Sequence, residues 1–379
     1  MKFIHLGDLH IGRTFEMRSM LEDQAFVLEQ VLKLAQDRNP DFVLIAGDIY
    51  DRSVPREEAI AVYDDFITRL VLDHNIPVYA ISGNHDSSRR LEGMGSLLKR
   101  SGYHICGSLK NPLERITLHD EHGPVDLYLM PYKDMHGARA IFEITDTRDH
   151  TETVRQMLTC VPADDHRKIL AAHHYFGVNG QSPEESESER RISIGGEDVI
   201  DHSVLDPFQY VALGHLHKPQ KVGRDCVRYA GSLLKYSASE ADHKKSITWV
   251  EMDQDGQCRI ELVPVRLLRD LKKIQGTFAE LMQTGFLEKK DDFLAVTLTD
   301  AERVDQAFAR LSQLYPNIIS LAYSRLESDY ELRVDQEAIR KADTRKLFAD
   351  FFHDKNQRDM TEDEQTFMDD IFREMEVEA

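Results

Sequence analysis

Apolar runs of four or five residues recur along the first two-thirds of the chain, at 3–6, 42–46, 78–81, 169–172 and 210–213. Their length and, His5 apart, their lack of polar interruption predict buried strands of a sheet covered on both faces. Between the first two runs, Leu21, Phe26, Val27, Val31, Leu32 and Leu34 recur at near-helical spacing over 20–35. Residues 57–72 repeat that pattern before the third run. The resulting βαβαβ order predicts an α/β domain with helices packed on the sheet. Residues 246–252 and 259–263 read as antiparallel strands that close this domain, and Asp253-Gln254-Asp255-Gly256 between them is a hairpin turn.

The pattern changes near Arg266. Residues 293–298 and 318–323 predict strands on either side of a helix over 301–314, with Pro316-Asn317 as the break. That is a small α+β module. Beyond Glu337 only helical signal remains, carried by Phe348, Phe351, Phe352, Phe367, Ile371, Phe372 and Met375. The stretch 177–196 is polar and acidic and reads as a surface loop.

Composition adjusts this picture in three ways. No stretch is long and apolar enough to predict a membrane span. The N-terminal run Met1-Lys2-Phe3-Ile4-His5-Leu6 is too short for a signal peptide, so a cytosolic location is expected. The four cysteines, at 106, 160, 226 and 258, form no Cys-x-x-Cys pair and read as reduced thiols. The net charge is −20, and residues 346–379 carry 11 acidic against 4 basic side chains. Such a balance argues against a stand-alone nucleic-acid binder. A polyanionic substrate would depend on metal charge and local basic groups.

The chemistry sits at the strand ends. The five runs lead into Gly7-Asp8-Leu9-His10, Gly47-Asp48-Ile49-Tyr50-Asp51, Gly83-Asn84-His85-Asp86, His173, and Gly214-His215-Leu216-His217. In open α/β sheets ligands gather beyond the carboxyl ends of the strands, so five such ends bring these side chains to one place. Imidazole, carboxylate and amide oxygen without thiolate suit a catalytic Mn²⁺, Fe²⁺ or Zn²⁺ site rather than a closed structural zinc site. Asp8, His10, Asp48, Asn84, His173, His215 and His217 are seven donors, more than one ion with an open position needs. Two ions sharing a carboxylate fit better. His174 competes with His173 for the fourth strand end; His173 directly follows the apolar run.

The pattern Asp8-x-His10, Gly47-Asp48-x-x-Asp51, Gly83-Asn84-His85-Asp86, His173, Gly214-His215-x-His217 resembles that of the calcineurin-like metallophosphoesterases. This resemblance implies a two-sheet α/β sandwich flanked by helices, with two divalent ions. Asp8, His10 and His217 would hold one, and Asn84, His173 and His215 the other, with Asp48 as the bridge. His85 would donate a proton to the leaving oxygen, with Asp86 orienting its ring.

Longer stretches, 48–52, 186–190 with Gly195-Gly196, 210–220, 229–237 and 315–317, resemble the SbcD family, the nuclease subunits of bacterial SbcCD complexes. Asp51 stands where archaeal and eukaryotic relatives have histidine, which places the resemblance in the bacterial branch. It implies a Mn²⁺-dependent exonuclease on DNA double-strand ends that also cuts hairpins and single strands. It further implies an SbcC coiled-coil ATPase partner, homodimerisation and a heterotetramer with SbcC.

The implied domains are a nuclease domain over 1–265, a capping domain that guides DNA over 266–336, and a helical tail over 337–379 that docks on the coiled coil. Arg13, Arg18, Arg52, Arg89, Arg90 and Lys218, each a few residues from a ligand motif, are candidate phosphate contacts. Two other readings compete: a phosphodiesterase or phosphatase acting on a non-nucleic-acid substrate, and a scaffold that has lost its metals. The intact donor set speaks against the last.

Overall fold

The computed structural model describes residues 1–15, 18–93, 95–189, 199–283 and 291–324, and in the C-terminal stretch residues 352, 358, 360, 361, 364, 365 and 368. The expected helical signal at Phe348, Phe351, Phe367, Ile371, Phe372 and Met375 lies outside the described residues, as do Arg190, Gly195 and Gly196.

The apolar runs are distributed over two sheets. Strands β1 (Lys2–Leu6), β2 (Phe42–Ala46), β3 (Val78–Ile81) and β4 (Tyr103–Cys106) pair in parallel in that order. The second sheet begins with the antiparallel pair β5 (Glu114–Asp120) and β6 (Gly123–Met130). Parallel strands β7 (Arg167–His173), β8 (Tyr210–Gly214) and β10 (Arg224–Tyr229) continue it, and β9 (Gln220–Val222) lies at its edge. The first sheet is completed by β11 (Ser246–Met252), antiparallel to β1, and β12 (Cys258–Pro264). The hairpin between the last two turns at Asp253 to Gln257, with Gly256 at φ +78°.

The inner faces of the two sheets meet in one buried layer that includes Phe3, Phe42 and Leu44 from the first and Leu127, Ile169, Ala171 and Tyr210 from the second. Phe3 stacks on Phe42 with centroids 4.8 Å apart and meets Tyr210 edge-on at 5.2 Å. Burying each such large side chain contributes about 1.5–3 kcal/mol. The β5–β6 hairpin shows an alternating burial pattern along Glu114–Asp120, the period-2 signal of a half-buried strand.

Helix α1 (Leu21–Arg38) covers the outer face of the first sheet with Gln24, Val27, Leu28, Val31, Leu32 and Ala35, a stripe at three- and four-residue spacing. It stops because Asn39 turns left-handed at φ 46° and donates to the Ala35 carbonyl. Helix α2 (Glu57–Thr68) buries Ala59, Tyr63, Phe66 and Ile67, then loosens into a π-helical turn over Arg69–Asp73 that buries Leu70 and Val71.

Leu271–Gly276, Phe293–Leu298 and Ile318–Tyr323 form a separate three-stranded sheet. The helix expected over 301–314 is confined to Ala307–Ser312. Gln306 before it is left-handed at φ 49°, which a continuous helix does not tolerate. The chain divides into two compact units, Met1–Thr297 with Val304–Leu321, and Leu298–Arg303 with Ala322–Ala379. Among the described residues no helix is long and apolar enough to cross a membrane.

Candidate metal centre

The two sheets are joined at the carboxyl ends of their parallel strands. The His173 ring at the end of β7 donates from Nδ1 to the Ala46 carbonyl at the end of β2, at 2.8 Å. A Cβ at Gly214, at the end of β8, would lie 1.9 Å from that same carbonyl oxygen, so only glycine permits the approach. The loops after β1 and β2 are zipped together by four backbone bonds, Asp8 N to Gly47 O, His10 N to Asp48 O, Ile11 N to Ile49 O and Asp51 N to Ile11 O. Asp8, His10, Asp48 and His215 all have positive φ (52°, 43°, 48° and 110°). Non-glycine residues seldom adopt this region, and each costs of order 1–3 kcal/mol, a strain that gathers at functional sites.

This turned backbone brings most of the expected donors together. Asp8, His10 and His217 place ligand atoms within 4.8 Å of one another, as do Asp8, Asp48 and His173. His10 Nε2 lies 3.1 Å from His217 Nε2 and 3.6 Å from Asp48 Oδ2. On the other side Asp48 Oδ2 is 3.4 Å from His173 Nε2, which is 3.0 Å from Asn84 Oδ1. Asp48 therefore stands between two donor groups. His215 presents its backbone N–H to Asp8 Oδ1 at 2.8 Å and its ring to His173, with centroids 5.5 Å apart. The His174 ring is buried and lies tilted on Tyr132 at 5.5 Å.

The donors fit a divalent cation. Asp8 is fully buried, yet its Oδ2 has no hydrogen-bond partner. A buried carboxylate in that condition calls for a cation or a proton. Burial, helped by the neighbouring Asp48, pushes the Asp8 carboxyl well up. Burial would raise Asp48 too, but the His173 and His10 rings outweigh it and hold Asp48 well below the usual carboxylate range. The same contact works in reverse on His173: burial opposes its charge, and Asp48 lifts it to about 9. His10 and His215, buried beside other imidazoles, are held well below the ordinary histidine value, neutral and ready to ligate.

His85 sits at the edge of this group. Its backbone N–H bonds Asp48 Oδ1 at 2.9 Å, and its ring meets that of His10 edge-on at 4.7 Å. The expected orientation of the ring by Asp86 is corrected here. His85 Nδ1 bonds the backbone carbonyl of Asp51 at 2.8 Å. The Asp86 carboxylate instead accepts from the N–H groups of Ile49, Tyr50 and Gly83, tying the loops after β2 and β3 together. Burial and the charge of Asp48 raise Asp86 to about 6 despite those bonds. The side chain of Asp51 lies 3.8 Å from His10 Nδ1 and pairs with Arg13 at 2.8 Å.

The six basic candidates divide. Arg13 is engaged with Asp51, Arg18 donates to Asn317 at 2.6 Å, and Lys218 pairs with Glu184. Arg52, Arg89 and Arg90 are exposed, and Arg52 lies 3.7 Å from Asp51.

Several supporting residues carry no signal in composition or spacing. Gln24 Nε2 and the Tyr236 hydroxyl donate to the His10 and Leu9 carbonyls, at 2.7 and 2.5 Å, and hold the first ligand loop. Within the stretch read as a solvated loop, Ser186 is buried, Glu189 accepts the His217 backbone N–H at 2.6 Å, and Ser188 Oγ lies 2.7 Å from His217 Nδ1. Burial raises the Glu189 carboxyl to about 7. Its polar sequence predicts solvation, and only the position of His217 shows why these residues turn inward.

Imidazole and carboxylate donors at the ends of parallel strands in a two-sheet sandwich define a phosphoesterase type of metal centre. A family model described as calcineurin-like phosphoesterase matches residues 1–219, and a second, described as type 5 capsule protein repressor C-terminal domain, matches residues 267–356. The D subunit of nuclease SbcCD from Staphylococcus saprophyticus is 30% identical over 355 residues, covering 93% of each chain. That of Staphylococcus epidermidis is 28% identical over 361 residues, 95% of this chain and 94% of the other. The chain belongs to the calcineurin-like phosphoesterases and, within them, to the SbcD family of nuclease subunits.

Proposed function

We propose that the protein is a Mn²⁺-dependent DNA nuclease that trims double-strand ends and cuts hairpins and single strands, as the SbcD component of an SbcCD-type complex. The observation that carries the proposal is Asp48 standing between the His10–His217 pair and the His173–Asn84 pair. Asp8, His10 and His217 would hold one ion and Asn84, His173 and His215 the other. When bound, two such ions supply charge neutralisation for a phosphodiester and a water acidic enough to attack at neutral pH.

The protein's own part is positioning and proton transfer. In its doubly protonated form His85 gives the Nε2 proton to the oxygen that leaves phosphorus, while the Asp51 carbonyl accepts the Nδ1 hydrogen throughout and holds the ring's orientation. Asp86 supports this indirectly by bracing the loops that carry Asp48 and His85. Arg52, Arg89 and Arg90 contact phosphates without reading bases. With a net charge of −20 the protein depends on its ions and its partner to hold DNA.

Val54, Ile60, Leu72 and Leu97, on and around α2, are 45–62% exposed, and this supports homodimerisation through the nuclease domain. The 266–336 module is read as the cap that guides DNA, and 337–379 as the segment that docks on an SbcC coiled coil in a heterotetramer. A cytoplasmic, nucleoid-associated protein follows from that role.

The full chain with Mn²⁺ is expected to cleave a DNA hairpin, and a coiled-coil ATPase partner to increase the rate. Cleavage of a chromogenic phosphodiester alone, with DNA left intact in the presence of the partner, overturns the DNA assignment. His85→Ala is expected to lower the DNA rate about 10²- to 10³-fold while both ions stay bound. Its effect should be smaller on the chromogenic substrate, whose leaving group needs no proton. Truncation before Lys346 is expected to abolish co-purification with the ATPase partner and spare chromogenic activity. Retained association removes the docking role.

A further inference from the structure

His217 is gripped from behind by a buried polar group that the chemistry described so far does not use. Lys245 and Glu240 are both fully buried and form an ion pair at 2.6 Å. Lys245 Nζ also donates to Ser232 Oγ and to the His217 carbonyl, each at 2.8 Å. The other Glu240 oxygen, Oε1, accepts from the Tyr236 N–H at 3.1 Å, from Ser237 Oγ at 3.2 Å and from Ser188 Oγ. It lies 3.3 Å from His217 Nδ1, and Ser188 Oγ is nearer to that nitrogen, at 2.7 Å.

These contacts fix the direction of every proton. With Lys245 on its other oxygen, Glu240 is a carboxylate and can only accept. The Ser188 hydroxyl therefore donates to Glu240, which leaves its lone pair facing His217. Nδ1 must carry the hydrogen and donate to Ser188. The neutral ring then has its lone pair on Nε2, the atom that faces His10 Nε2. A histidine ligand held through its second nitrogen by a carboxylate system is fixed in tautomer and made more basic.

Burying a Lys–Glu pair is expensive in desolvation, and apolar residues of the same volume would often serve stability as well. A positioning role accounts for its place beside a ligand. We infer that Glu240 and Lys245, acting through Ser188, are positioning residues that set His217 for the ion at Asp8, His10 and His217, and leave the second ion untouched. The inference rests on the two-ion reading above.

The test is Mn²⁺ titration of the full chain by calorimetry, with electron paramagnetic resonance of the loaded protein. Single removal of Glu240 strands a buried ammonium and endangers folding, so the main variant is Glu240→Gln with Lys245→Met, which removes both charges. Ser188→Ala is the second, because it breaks the relay and leaves the ion pair intact. The wild type should bind two ions and show a spin-coupled spectrum. In both variants one ion should bind about 10- to 100-fold more weakly, with the other unchanged. At one equivalent of Mn²⁺ the spectrum should be that of an isolated ion. Two unchanged affinities, or equal weakening of both, overturns the inference while the two-ion reading stands. A wild type that binds fewer than two ions overturns the two-ion reading, and this inference falls with it.

Discussion

Replacing Asp48 by asparagine is expected to lower phosphodiester cleavage by about 10⁴-fold or more, equivalent to about 5.5 kcal/mol of barrier, and to eliminate tight binding of both ions. The size follows from position. Asp48 is 2% exposed, and its Oδ2 lies within 3.6 Å of His10 Nε2 and 3.4 Å of His173 Nε2. Asp8 also brings a carboxylate oxygen within 4.8 Å of a nitrogen of each ring. Asparagine keeps the shape and can still accept the His85 backbone N–H, so the loop should hold. What is lost is one negative charge at the point where both donor groups meet. Inductively coupled plasma analysis of the dialysed variant measures the metal content, and rates on DNA and on a chromogenic phosphodiester measure the chemistry. Two retained ions with a rate within tenfold of wild type would show that Asp48 does not bridge. The contrast with His85→Ala is diagnostic, since that variant should lose the rate and keep the metal.

Gly214→Ala should damage the fold itself. Its Cβ would sit 1.9 Å from the Ala46 carbonyl oxygen and 2.8 Å from His173 Nδ1, and that oxygen is already held by the His173 ring. Relief requires β8 to move away from β2, which separates the sheets at the edge that carries the ligands. A destabilisation of about 3 kcal/mol or more is expected, at the upper end of what overpacking produces. Thermal melting of the metal-free protein reads this without contribution from bound ions. Gly95→Ala is the control: nothing lies within 4 Å of its added Cβ, and it opens a short helix over Gly95–Ser101. There alanine should be neutral or stabilise by up to about 1 kcal/mol. Equal melting temperatures for the Gly214 variant and wild type would show that the sheets are not clamped at this point.

The strand ends were legible because burial and chemistry are adjacent in sequence there. An uninterrupted apolar run marks a strand covered on both faces, and the next residue is forced to the sheet edge. Asp8, Asp48, His173 and His215 needed no knowledge of partners to be noticed. The β5–β6 hairpin also left a signal, the alternation of Ile116 and Leu118 with exposed neighbours. The helix falls short of the expected 301–314 because near-helical apolar spacing is blind to one left-handed residue, Gln306. The family resemblance implies Asp86 as the partner of the His85 ring. In the folded loop three backbone N–H groups reach its carboxylate first.

The sequence alone thus made the family and the candidate strand-end donors legible, because each motif is written in a few contiguous residues. Tertiary structure decided that His173 and Gly214 meet the Ala46 carbonyl where the two sheets join, and that Asp48 Oδ2 lies within 3.6 Å of His10 Nε2 and 3.4 Å of His173 Nε2. It also decided that Ser188, Glu240 and Lys245 converge behind His217. Those contacts join residues tens to hundreds of positions apart, and hydrogen-bond direction depends on which atoms meet across that distance. No local pattern encodes it.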